Sequence, residues 1–191
     1  MHTYIALLRG INVGGKNSLP MKDLKSILEI LGASNVKTYI QSGNVVFQSA
    51  LKDDISSFSK RLGIEIRERH GFEPQILVIG LAEVETAMMN NPFPEAESEP
   101  SSLHLGFLAS APENPDLEKL ESLKKESERF CLIDNIFYLH APEGVGRSKI
   151  AASSEKLLGV PMTDRNWNTV CKLKEMATSI TLPPNNPNAA E

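Results

Sequence analysis

Cysteine is scarce: Cys131 and Cys171 are the only two in 191 residues, far apart and without Cys-x-x-Cys or paired-histidine spacing. A disulfide framework and a zinc knuckle are therefore unsupported. Aromatic residues make up only 6% of the chain, with a single tryptophan, which leaves little material for the stacking platforms of single-strand binders. No apolar run approaches the roughly 18 to 20 residues that span a bilayer, so no membrane partner is expected. The start lacks the basic, apolar, small-residue order of a secretory leader, and residues 3–9 read as a strand. A cytoplasmic address is the expectation. The net charge of -4 and pI of about 5.7 give no whole-protein basic footprint for nucleic acid.

What is present is an ordinary soluble composition, 41% hydrophobic and 23% charged, long enough for one large or two small domains. The charge is uneven. Residues 1–80 carry ten basic and seven acidic groups, residues 81–128 three and eleven, and residues 129–191 seven and six. An acidic middle separates two slightly basic ends.

Residues 3–9 read as a buried strand, followed by a long loop over 10–18. Met21, Leu24, Ile27, Leu28 and Leu31 recur at helical spacing after Pro20, and Gly32 ends that helix. Residues 36–41 and 44–48 read as a hairpin about Ser42 and Gly43. A second helix places Leu51, Ile55, Phe58, Leu62 and Ile66 on one face, with Asp53 and Asp54 in its first turn, and residues 74–79 close the unit as a strand. A short helix over 81–90 leads into residues 91–101, a linker with three prolines, three glutamates and no Lys or Arg. Leu103, Leu105 and Phe107 then mark a strand. Leu117, Leu120 and Leu123 mark a helix, residues 130–133 and 136–140 a hairpin, residues 149–158 a helix, 160–162 a short strand and 165–177 a last helix. The tail over 181–191 is rich in Pro and Asn and reads as disordered.

The order β-α-β-β-α-β thus occurs twice. The expected fold is α+β, two ferredoxin-like sandwiches over 1–80 and 102–178 joined by the short helix and acidic linker over 81–101, with a tail from 179. That topology sends strands 1 and 2 of a unit one way and strands 3 and 4 the other. In the first unit it sets the 10–18 loop beside the 41–44 tip; in the second it gathers 142–149 and 163–168 at one end.

Both gatherings are rich in glycine, amides and cations. Glycine lets main-chain N–H groups approach an anion, a helix N-terminus adds ~0.3 to 1 kcal/mol, and Arg or Lys supplies directed charge. The candidate ligand-binding residues are Arg9, Asn12, Gly14, Gly15, Lys16, Gln41, Ser42 and Asn44 in the first unit. In the second they are Gly146, Arg147, Ser148, Lys149, Arg165, Asn166 and Asn168. Neither loop has dinucleotide or Walker A spacing, so a nucleotide hydrolase is not indicated.

Five motifs occur in order: Leu-Arg-Gly-Ile-Asn-Val-Gly-Gly-Lys at 8–16, Tyr-Ile-Gln-Ser-Gly-Asn-Val-Val-Phe at 39–47, Asn-Pro-Phe at 91–93, Gly-Val-Gly-Arg-Ser-Lys at 144–149 and Arg-Asn-Trp-Asn-Thr at 165–169. Together, over residues 2–178, they resemble the domain-of-unknown-function 1697 family, found mainly in bacteria. The resemblance implies a two-subdomain α+β fold and no particular activity. Typical members carry Thr before the Arg-Asn-Trp-Asn motif where this chain has Asp164, an acid expected to neutralise Arg165.

Other chemical residues read as structural. His140 ends a strand and titrates near neutrality, yet no carboxylate or nucleophile is set beside it by motif. His2, His70 and His104 lie in different elements with no metal spacing. Trp167, Val170, Leu173 and Ala177 share a helical face and read as core. The glutamates over 83–99 read as a solvated surface, and Met88 and Met89 as core filler. The leading expectation is a binding protein for a phosphate-bearing ligand, a nucleotide or a stretch of RNA, with no cofactor and no metal. The alternatives are a small enzyme on an anionic substrate, with Ser42, Ser148 or His140 moving protons, and an interaction module without a ligand site.

Overall fold

The computed structural model describes residues 1–50 and 54–181; Leu51, Asp53 and the expected tail beyond 181 lie outside them. It is mixed α+β, with two four-stranded antiparallel sheets and, among the described residues, six α-helices. The described residues divide into two compact units, one running to Glu83 and taking up the chain again from Leu173 to Thr181, the other Val84–Lys172.

In the first unit β1 (His2–Arg9), α1 (Met21–Ile30), β2 (Ser34–Tyr39), β3 (Asn44–Ser49), α2 (Ile55–His70) and β4 (Gln75–Gly80) form a sheet of order β2-β3-β1-β4. One face of the sheet is buried under α1 and α2. Tyr4, Ala6, Leu8, Val45 and Phe47 meet Leu24, Ile27, Leu28, Phe58, Leu62 and Ile66 there. The period-2 spacing of the strand residues and the helical spacing of the others are what let the two sets close. Phe47 is the middle ring of an aromatic column, 5.7 Å from Tyr4 and 5.3 Å from Phe58. Asp54 precedes α2 as its cap, accepting the Ser57 N–H at 3.1 Å, and Gly71 ends it at φ +78°.

The second unit takes α3 (Leu81–Met89) from Val84 on, a 3-10 turn (Pro94–Ser98), β5 (Leu103–Leu108), α4 (Leu117–Leu123), β6 (Arg129–Ile133), β7 (Ile136–His140), α5 (Lys149–Leu158) and β8 (Met162–Asn166), with sheet order β6-β7-β5-β8. Phe137 and Leu139 face a core with Leu120, Ile150 and Leu158. Tyr138, between them in sequence, faces the other way, and its hydroxyl donates to the Ala87 carbonyl of α3 at 2.7 Å. Burial, then the fields of Cys131 and Asp134, push that hydroxyl up to about 12.

Several boundaries differ from the sequence reading, among them β2, which runs Ser34–Tyr39 rather than 36–41. The last strand is Met162–Asn166 rather than 160–162, and α6 (Trp167–Thr181) starts two residues later and runs on through 179–181. β8 is polar because its strand character comes from pairing with β5, Leu108↔Met162 to His104↔Asn166, and not from an apolar alternation. The end of α6 is held by Ile180, 9% exposed, and by a 2.7 Å hydrogen bond between the Thr3 and Thr181 hydroxyls.

Candidate functional site

The topology brings the first cluster together. β1 ends where β3 begins, Leu7 opposite Asn44, so the 10–18 loop and the β2–β3 tip share one end of the sheet. The Leu8 N–H donates to the Gly43 carbonyl at 2.8 Å. Asn12 staples the loops: its amide donates to the carbonyls of Leu19 and Gln41, both at 2.9 Å, and its oxygen accepts the Leu19 N–H at 2.8 Å. The loop is itself a miniature hairpin, with Val13 paired to Lys16 and a 3.0 Å bond from the Lys16 N–H to the Val13 carbonyl. Gly14 and Gly15 form its tip at φ +58° and +72°, with nothing within 4 Å of where a Cβ would stand. Both tip residues need positive φ, as glycine allows at least cost.

Within this cluster Arg9, Gly14, Gly15, Lys16, Gln41 and Ser42 are exposed. Arg9 donates to the Gln75 side chain at 3.3 Å. Asn44 is fully buried and donates to the Ser42 hydroxyl at 2.8 Å, so it shapes the tip from beneath. Ile40, 56% exposed, sits at φ +50°. A β-branched residue in that region is a true outlier, costing about 1 to 3 kcal/mol and found most often at functional sites. Val13, at 67%, is the other exposed aliphatic of these loops.

In the second unit, Leu103 pairs with His140 and His104 with Asn166. The chain leaving β7 and the chain leaving β8 therefore emerge at the same end of the sheet. Ser148, 4% exposed, caps α5 by accepting the Ala151 N–H at 3.1 Å. Gly146 and Arg147 lie in the 3-10 turn before it, and Arg147 and Lys149 point their charge into solvent. Asn166 caps α6, accepting the Thr169 N–H at 3.0 Å, and Asn168 is exposed on the first turn.

Arg165 is half-buried on β8 and donates to the Asp164 carbonyl at 2.7 Å. Burial lowers its pKa while Asp164 opposes the shift. The Asp164 carboxylate is engaged elsewhere, 2.8 Å from His104 Nδ1, with His104 Nε2 3.2 Å from the Ser101 carbonyl. Both ring nitrogens of this buried imidazole thus face oxygen acceptors, an arrangement only the imidazolium satisfies. Burial lowers the His104 pKa, but the hydrogen bond and charge of Asp164, with Ser101, outweigh it, and the net shift is upward.

A further constellation was not legible in the sequence. Asn91 forms a turn in which its oxygen accepts the Phe93 N–H at 3.0 Å and its amide reaches Glu97 at 2.8 Å. That turn presents Phe93, over whose ring the Arg129 guanidinium lies at 4.8 Å. Arg129 also donates to the Glu95 carboxylate and, at 3.1 Å, to His140 Nδ1. Glu95, Ala96, Ser98, Glu99, His140 and Pro142 line a cleft of about 210 Å³. Burial, then the Arg129 charge, lowers the His140 pKa against the pull of Glu95 and Glu99. Glu95 is held below the ordinary carboxylate range by its own backbone amide and then by Arg129. The available signal was the Asn-Pro-Phe motif, which the sequence reading used only for resemblance.

Among the described residues no group of three or more His, Cys, Asp or Glu side chains is placed to hold a metal ion, and no helix is long and apolar enough to cross a membrane.

Comparison with known proteins adds two likenesses. The model of a family described as protein of unknown function (DUF1697) matches residues 1–138. The solved structure of a conserved bacterial protein from Streptococcus pneumoniae is similar at 27% identity and a TM-score of 0.68, over 92% of this chain and 98% of that one. No curated protein matches.

Proposed function

Since the chain belongs to the DUF1697 family of proteins of unknown function, its own geometry has to supply the reading, and we propose that it is a cytoplasmic binding protein for a phosphate-bearing ligand, a nucleotide in preference to RNA. The strand order β2-β3-β1-β4, repeated as β6-β7-β5-β8, supports taking each unit as a ferredoxin-like sandwich, with residues 81–101 as connecting helix and acidic linker. The observation that carries the reading is the stapled junction of the 10–18 loop with the β2–β3 tip. There an open glycine turn, the exposed cations Arg9 and Lys16 and the strained Ile40 share one sheet end. Open glycine amides suit close approach by phosphate oxygens, and strain held at a loop tip is characteristic of ligand clamps. In the second unit Gly146, Arg147 and Lys149 at the start of α5 supply the same chemistry. A pI of about 5.7 favours a small anion over a polyanion.

A thermal-shift panel of nucleotides, sugar phosphates and short RNAs tests this. A ligand at 100 times its dissociation constant stabilises by about 2.7 kcal/mol, and Lys16→Ala or Arg147→Ala is expected to weaken it several-fold. A shallow salt dependence identifies a nucleotide and a steep one RNA. Flat melting curves across the panel would remove the reading in favour of an interaction module.

A further inference from the structure

The His140 cleft deepens this reading and rests on the basic loop of the second unit as its phosphate anchor. Arg129 is gripped by the Glu95 carboxylate, the Phe93 ring and His140 Nδ1. A guanidinium only donates, so Nδ1 must accept and the imidazole is the neutral tautomer with its proton on Nε2. The imidazole in the lining of the cleft therefore carries its proton on Nε2. The same lining holds the exposed Glu99, whose field reaches His140, with Glu95, Ser98 and two apolar residues, Ala96 and Pro142. At about 210 Å³ the space is below the roughly 300 to 1,000 Å³ of drug-sized sites, and suits one flat heterocycle. A ring N–H donor and a carboxylate in the lining of one cleft suit a ring whose edge carries an acceptor next to donors.

Pro142 begins the chain that reaches Arg147. Five residues could extend about 17 Å, but the Gly144 N–H to Ala141 and Arg147 N–H to Gly144 bonds, at 2.9 and 3.1 Å, fold them into turns. The cleft and the basic loop are thus joined by a short, folded connection.

We propose that the cleft of the second unit takes the base of a guanine nucleotide, with His140 Nε2–H donating to O6, the Glu99 carboxylate accepting from N1–H and the 2-amino group, and the phosphate directed to Gly146, Arg147 and Lys149. Guanine is favoured over adenine because it offers two donors to one carboxylate.

Calorimetric titration of the full chain with GMP, AMP, guanosine and inorganic pyrophosphate decides it, with Glu99→Gln, His140→Ala and Arg147→Ala checked for unchanged melting. The expected result is GMP at least fivefold tighter than AMP. Glu99→Gln and His140→Ala each weaken GMP tenfold or more and leave pyrophosphate untouched, while Arg147→Ala weakens both. Glu99 is exposed, so its variant keeps the test valid should the histidine variant not fold. GMP binding that ignores both cleft variants, or AMP equal to GMP, overturns the cleft and leaves the phosphate reading standing. Guanosine binding that needs Glu99, without any pyrophosphate binding, supports the cleft and removes the phosphate anchor. No binding of any probe overturns both.

Discussion

Two sheets with one strand order hide different things. The first unit buries an aromatic column, and its buried polar side chains, Thr3, Asn44 and Ser49, carry no charge. The second buries His104 and Glu128 as well as Ser102, Ser148, Ser154 and Thr163. His104 is tied to Asp164 and Ser101, and Glu128 accepts the Lys125 N–H at 3.0 Å. Strand order fixes which backbone groups pair; it leaves open whether the interior is oily or ionic. The tie between His104 and Asp164 makes the second unit the place to look for a pH response.

The largest test of that contrast is Phe47→Ala, which removes the middle ring of the column. Truncation of a fully buried Phe is expected to cost about 4 kcal/mol, read by denaturant unfolding; a loss below about 1 kcal/mol would show that the first unit does not depend on its aromatic column. Next comes a pair of glycines. At Gly43, φ +75°, an added Cβ would stand 2.6 Å from Leu8 Cβ and 3.1 Å from the Leu8 carbonyl. Gly43→Ala should therefore destabilise by about 3 kcal/mol, strain and clash together. At Gly106 the obstacle is the Met162 side chain, which can swing away, so Gly106→Ala should cost only about 1 kcal/mol. Equal losses at the two sites would contradict this account.

The pH response is smaller. Because the folded pKa of His104 is raised, its contribution is complete below the unfolded value of about 6.5 and is lost as pH rises through the folded value. Melting followed from pH 6 upward should show a decline of about 1 kcal/mol, modest because Asp164 is half-exposed. Asp164→Asn should flatten it. His140 is shifted downward, so its contribution is present above about pH 6.5 and lost as pH falls through its lower folded value. An unchanged slope in Asp164→Asn would show that another group sets the alkaline limb.

Much of the element order was readable because apolar spacing and turn residues agree: Leu24, Ile27 and Leu28 on α1, and Ser42 and Gly43 at the first hairpin. β8 was misplaced because Thr163 and Arg165, on the Tyr138 face of the sheet, are buried and half-buried without an apolar signature. Asn12 was readable as part of a candidate site, but its role as the staple between loops depends on Gln41, which only the sheet brings near. The Phe93, Glu95, Arg129 and His140 group was illegible for the same reason. Its members come from a linker and two strands, and the Arg129↔His140 register that joins them is a property of the folded sheet.

The pairing of Asp164 with His104 also constrains how this chain can change over generations. Asp164→Thr alone would strand a buried imidazole opposite a hydroxyl, whereas the same exchange after His104 has become an aliphatic residue would remove only a half-exposed acid. The two positions are therefore expected to drift together, histidine leaving first, and the order of the steps matters as much as their sum.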